Sequence, residues 1–120
     1  MKTVLVVDDS ETDRSLIGMV VRDAGHMAQF ASDGDEALER ARDLKPDLIL
    51  LDIVMPRQDG FSVCRKLKKT PETQDIPVVF VTSKRSDVSR YWGEQQGANG
   101  YIAKPFSPEE LLEVVQKFLR

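Results

Sequence analysis

Six polar residues stand directly after short apolar runs, and their types define a chemistry. Asp8 and Asp9 follow Val4–Val7, Asp52 follows Leu48–Leu51, Thr82 and Ser83 follow Val78–Val81, and Lys104 follows Tyr101–Ala103. Three carboxylates brought together repel one another. A divalent cation is the simplest remedy. Mg²⁺ suits the set, because it prefers oxygen ligands, takes one or two carboxylates, keeps several waters and shares its site with phosphate. Taken alone, Asp8-Asp9 reads equally well as a helix-capping pair. The cation reading depends on whether Asp52 and Lys104 reach the same place.

The intervening elements decide that. The runs Val4–Val7, Ala28–Ala31, Leu48–Leu51, Val78–Val81 and Tyr101–Ala103 read as strands. The first, third and fourth are apolar throughout, as strands buried on both faces of a parallel sheet must be. Helices are predicted between them. Ser10-Glu11-Thr12-Asp13 resembles a capping box, with Gly25 closing a helix that buries Leu16, Ile17, Val20, Val21 and Ala24. Asp33 caps a second helix, with Ala37, Leu38, Ala41 and Leu44 inward and Pro46 forbidding its continuation. Asp59 caps a third, with Phe61, Cys64 and Leu67 on one face, and a fourth runs from about Ser86 to Gln95. Ser107-Pro108-Glu109-Glu110 starts a fifth, with Leu111, Leu112, Val115, Phe118 and Leu119 inward.

Five such βα units predict a three-layer, doubly wound parallel sheet of the flavodoxin type, order 2-1-3-4-5, with helices on both faces. Ligands in such sheets bind at the carboxyl ends of the strands, where the chain order reverses. That rule brings Asp8, Asp9, Asp52, Thr82 and Lys104 to one edge, and the capping reading of the aspartate pair weakens.

Composition limits the alternatives. The chain has 120 residues, enough for one domain that buries roughly two-thirds of its unfolded surface. A net charge of -3 argues against a nucleic-acid surface, which needs clustered Lys and Arg. The run Arg65-Lys66-Leu67-Lys68-Lys69 reads as a solvated helix face. A single cysteine, Cys64, excludes an internal disulfide and reads as a small apolar core residue. No apolar run has the roughly 20 residues a membrane helix needs, and the N-terminus turns acidic too early for a signal peptide. A cytoplasmic location is expected. The fifth helix reaches the last residue, so one domain over 1–120 with no output domain is expected.

The motifs Val-Asp-Asp-Ser at 7–10, Leu-Asp-Ile-Val-Met-Pro-Arg-Gln-Asp-Gly at 51–60, Val-Thr-Ser at 81–83, Gly-Ala at 97–98 and Tyr-Ile-Ala-Lys-Pro-Phe at 101–106 resemble the receiver domain of two-component response regulators, the CheY-like domain. The resemblance covers the whole chain. It implies that Asp52 accepts a phosphoryl group from a histidine kinase or its phosphotransfer domain. Asp8, Asp9, Asp52 and the backbone carbonyl of Val54 would hold Mg²⁺, with Mn²⁺ a plausible substitute. Lys104 and Thr82 would contact phosphoryl oxygens, and the Lys104–Pro105 peptide would be cis. The domain would catalyse its own phosphorylation and dephosphorylation.

The resemblance also implies a switch. Thr82 would swing toward the phosphoryl group and Tyr101 would move inward. A downstream protein would read the change on the fourth helix, fifth strand and fifth helix. The stretch Tyr-Trp-Gly-Glu-Gln-Gln-Gly-Ala at 91–98 is similar to single-domain regulators of type IV pilus twitching motility, the PilH-like group. Signalling through protein contacts would serve pilus motility or chemotaxis, with a phosphate sink or a role outside motility as the alternative. Trp92 is expected to plug the core, with an exposed partner anchor as the other reading. His26 reads as structural. A haloacid-dehalogenase phosphatase would want Asp-x-Asp after its first strand, and a flavin module would be repelled by Asp8-Asp9. Retention of all five site residues argues against a degenerate receiver that only makes contacts.

Overall fold

Period-two alternation builds the centre of the molecule, described here over residues 1–120 from a computed structural model. The elements run β1 (Thr3–Val7), α1 (Glu11–Asp23), β2 (Met27–Ala31), α2 (Gly34–Leu44), β3 (Leu48–Leu51), α3 (Gly60–Lys69), β4 (Val78–Thr82), α4 (Asp87–Gln95), β5 (Gly100–Ala103) and α5 (Pro108–Phe118). All strand pairs are parallel, in the order β2-β1-β3-β4-β5. The predicted architecture stands, with strands up to one residue longer than the apolar runs and Thr82 as the last residue of β4 rather than the first after it.

Each central strand feeds two cores. Val4, Val6, Leu48, Leu50, Val79 and Val81 point to the face covered by α1 and α5. Leu5, Val7, Ile49, Leu51, Val78 and Phe80 point to the face covered by α2 and α3. Successive side chains on a strand face opposite ways, so a run that is apolar at every position needs a layer on both sides. The chain leaves β1 toward β2 and returns past β1 to β3. This reversal opens a crevice between the carboxyl ends of β1 and β3.

The caps form as the sequence predicts. Ser10, Asp33, Asp59, Ser86 and Ser107 each accept a backbone N–H from the third residue on. The capping box at α1 is only half made. The Ser10 N–H donates to Asp8 Oδ1 at 2.9 Å, so the Asp13 carboxylate is released for another partner.

Three predicted core residues are not buried. Leu16 is 44 % exposed, at the margin of the inward stripe of α1, and Leu44 is exposed as the last residue of α2. Trp92 is 51 % exposed and packs edge-on against Tyr91 rather than filling the core. Its neighbour explains why. Gly93 faces the sheet, and a Cβ there would lie 3.1 Å from the Phe80 ring. A Cβ there would be tight against the ring, so glycine suits this close approach of α4, and the next position along a helix points about 100° away. Leu38, Leu112 and Phe118 are partly buried against the two cores. Cys64 is fully buried, as expected. His26 accepts the Lys2 N–H on Nδ1 at 3.2 Å, a structural contact. No helix is long and apolar enough to cross a membrane.

Candidate functional site

The carboxyl ends of β1, β3 and β5 deliver the charged residues to one point. One carboxylate oxygen from each of Asp8, Asp9 and Asp52 lies within 4.8 Å of the other two. Asp8 and Asp52 are buried and Asp9 is exposed. Lys104 Nζ reaches across to Asp8 Oδ2 at 2.7 Å and Asp52 Oδ2 at 3.1 Å. The structure therefore brings Asp8, Asp9, Asp52 and Lys104 together.

Local structure holds each one. Asp8 is tied by the Ser10 N–H to its Oδ1, and the Arg14 guanidinium donates to its backbone carbonyl at 2.7 Å. The Ile53 N–H donates to Asp52 Oδ1 at 2.6 Å. Gly60 fixes the loop beyond. Its N–H donates to the Ile53 carbonyl at 2.7 Å, and a Cβ would run into the Asp52 carbonyl oxygen and come within 2.8 Å of Ile53 Cα. Glycine there lets the start of α3 lie against the strand end that carries Asp52. The Lys104 N–H donates to the Thr82 carbonyl at 2.8 Å, which sets β5 in register with β4. The Lys104–Pro105 peptide is cis.

The electrostatics describe a site short of positive charge. Burial raises the Asp8 pKa above the ordinary carboxylate value, and the contacts from Lys104 and the Ser10 N–H do not offset it. Burial alone would lower the Lys104 pKa. Its bonds to Asp13 and Asp8, with the field of Asp52, outweigh burial and raise it. The donor set suits a hard cation. An ion with oxygens at roughly 2.1 Å spans about 4.2 Å between opposite ligands, so three oxygens within 4.8 Å can share one ion after sub-ångström adjustment.

Thr82 is fully buried at the same edge. Its Oγ1 accepts the Lys84 N–H at 3.3 Å, leaving its own proton free to donate. The Tyr101 hydroxyl donates to the Lys84 carbonyl at 2.6 Å. Its ring is half-buried beside Phe80, at 5.9 Å, with the Arg90 guanidinium 4.9 Å from its centre. One residue's backbone, that of Lys84, thus touches both Thr82 and Tyr101. Val54 lies in the loop two residues beyond Asp52, with its side chain exposed.

One site residue escaped the sequence reading. Asp13 Oδ2 lies 2.8 Å from Lys104 Nζ. The only signal was an acidic residue in the first helical turn after Asp8-Asp9, which capping explains equally well.

Comparison with known proteins agrees with this geometry. The family model described as a response regulator receiver domain matches residues 4–116. The chain is 40% identical over 119 residues to Protein PilH of Pseudomonas aeruginosa, covering 99% of this chain and 98% of that protein. It also matches longer transcriptional regulators, of which it spans about half the length. Among solved structures, the Vibrio cholerae chemotaxis protein CheY4 superposes with a TM-score of 0.92 at 34% identity, covering 99% of each chain. The receiver domain of sensor histidine kinase PA1611 from Pseudomonas aeruginosa, with a magnesium ion coordinated in its active-site cleft, superposes with a TM-score of 0.90 at 28% identity. That match covers 98% of this chain and 96% of that one.

Proposed function

The chain belongs to the response regulator receiver family, and from that premise we propose that Asp52 is its phosphoacceptor. Members of the family are phosphoacceptor signalling domains of two-component systems, not classical enzymes. They bind Mg²⁺ in an acidic pocket and interact with histidine kinases and downstream targets. The observation that carries the assignment is the Lys104 ammonium, held 3.1 Å from Asp52 and 2.7 Å from Asp8 beside three convergent carboxylates.

Phosphoryl transfer needs positioning and charge stabilisation more than covalent help. An Asp52 carboxylate oxygen attacks the phosphorus of a donor phosphohistidine. The new P–O bond forms as the P–N bond breaks, and the electron pair leaves on the donor's ring nitrogen. Asp8, Asp9, Asp52 and the Val54 carbonyl would hold Mg²⁺, or Mn²⁺ in its place. The bound ion supplies positive charge to the phosphoryl oxygens. Lys104 turns one N–H from Asp52 to a phosphoryl oxygen, and the free Thr82 proton goes to another. Water attacking the phosphorus within the same residues forms a new P–O bond as the bond from phosphorus to the Asp52 oxygen breaks, releasing inorganic phosphate and the Asp52 carboxylate, so the chain resets itself.

Signalling follows from those two bonds. A hydrogen bond to a charged group contributes about 1.5–3 kcal/mol, and inverting a 1:99 equilibrium takes roughly 5.5 kcal/mol. Thr82 and Lys104 together supply about that if both bonds form only in the active state. Thr82 moving toward the phosphoryl group releases the Lys84 N–H, and Lys84 carries the Tyr101 contact. The change emerges at α4, β5 and α5, where a target protein binds, with the exposed Trp92 available as an anchor. The 40% identity to Protein PilH supports, within this reading, a role in pilus motility or chemotaxis.

The experiment is incubation with acetyl phosphate and Mg²⁺, followed by intact mass. Wild type is expected to gain one phosphoryl mass and Asp52→Asn none. An equal gain in both proteins removes Asp52 from the role.

A further inference from the structure

Asp13 stands outside the cation-ligand trio, yet it makes one of the shortest contacts at the site. It sits in the first turn of α1, with its backbone N–H donating to Ser10 Oγ. Its carboxylate is 38% exposed, whereas Asp8 is almost wholly covered. Lys104 has three ammonium hydrogens, and each has one carboxylate: Asp8 at 2.7 Å, Asp13 at 2.8 Å and Asp52 at 3.1 Å. No hydrogen is left for a phosphoryl oxygen, so one contact must be given up.

The proposed chemistry alters two of the three. Asp8 and Asp52 both offer oxygens to the converging carboxylate group, and Asp52 gains the phosphoryl group. Asp13 is the acceptor that neither event removes. We propose that Asp13 is a positioning residue, holding one N–H of the Lys104 ammonium toward α1 and so limiting how far the ammonium moves in among the cation ligands. This inference rests on the Asp52 and Lys104 reading above.

Without Asp13, the ammonium keeps only Asp8 and Asp52 as close partners and is free to move further in between them. It then competes with the cation for two of its three carboxylates. With Asp13 in place, one N–H is anchored toward α1. The longest of the three contacts, to Asp52, is then the one ready to pass to a phosphoryl oxygen. Groups hydrogen-bonded to metal ligands change metal affinity by about 10–100-fold when removed, and Asp13 acts one bond further out, through Lys104. Partial exposure of Asp13 places it at the low end.

The test is calorimetric titration of Mg²⁺ into wild type, Asp13→Ala and Asp13→Glu, and into Lys104→Met with and without Asp13→Ala. Phosphoryl uptake from acetyl phosphate is measured on the first three. Asp13→Ala is expected to weaken Mg²⁺ binding by up to about tenfold and to slow uptake in proportion, and Asp13→Glu to restore both. In the Lys104→Met background, Asp13→Ala is expected to change affinity by less than about twofold, as for independent sites. Unchanged affinity in Asp13→Ala overturns the inference. So does an undiminished loss in the Lys104→Met background, which would make Asp13 a source of negative charge only. A wild type that binds no Mg²⁺ and takes up no phosphoryl group overturns the Asp52 reading as well, whereas a competent wild type with indifferent Asp13 variants overturns this inference alone.

Discussion

Deleting the Lys104 ammonium is the sharpest perturbation the site allows. In Lys104→Met, the buried Asp8 and Asp52 lose their shared counter-ion, with the Asp9 and Asp13 carboxylates close by. Removing one partner of a buried ion pair costs roughly 3–5 kcal/mol. The ammonium is partly accessible and Asp13 more so, so solvent screening reduces the expected loss to about 2–4 kcal/mol. At roughly 4 °C per kcal/mol for a domain of this size, Tm falls by roughly 8–16 °C. Mg²⁺ replaces the missing charge and binds only the native form, so it must recover most of that loss. The assay is thermal unfolding by circular dichroism of both proteins at neutral pH, in chelator and in saturating Mg²⁺ at matched ionic strength. No deficit in chelator, or the same deficit with Mg²⁺, refutes the reasoning.

Acid gives a second handle on the same variant. A carboxyl whose native pKa is raised binds more protons folded than unfolded. Its contribution to stability therefore falls as pH climbs from the ordinary value of 3.8 through the raised one. Burial has already raised Asp8, and loss of Lys104 removes the main opposing contact. The deficit of Lys104→Met in chelator is therefore expected to shrink as pH is lowered toward about 5. A deficit that grows on acidification contradicts this.

Three further outcomes are expected. Gly60→Ala forces a Cβ into the Asp52–Ile53 backbone and should lower stability in urea by about 1–3 kcal/mol, with slower phosphoryl uptake at Asp52. Trp92→Ala should stay within about 0.5 kcal/mol of wild type, whereas Phe80→Ala should cost about 3–5 kcal/mol; comparable losses would put Trp92 back in the core. The Cys64 thiol is buried and pushed up to about 11, so it should resist aromatic disulfide reagents at mildly alkaline pH until the chain is unfolded.

Much of the fold was legible because few arrangements satisfy the apolar pattern. Runs such as Leu48–Leu51 and Val78–Thr82 are apolar at almost every position and must be covered on both sides. Capping residues then mark where each helix starts. Once strand ends are known, Asp8, Asp9, Asp52 and Lys104 fall at one edge. The margins of the helical stripes were less legible. Leu16 and Leu44 are apolar yet exposed, since periodicity gives a helix its inward direction but not the width of the groove that receives it.

The sequence by itself determined the sheet, its buried strands and the charged groups at their carboxyl ends, because alternation and chain connectivity are local properties. Tertiary structure alone decided the rest. Whether Trp92 or Gly93 faces the sheet depended on how closely α4 approaches Phe80. Whether Asp13 closes a capping box or holds Lys104 depended on Asp8 already occupying the Ser10 N–H. The Gly93–Phe80 approach and the Asp13–Lys104 bond both join separate elements of the chain, which no local pattern records.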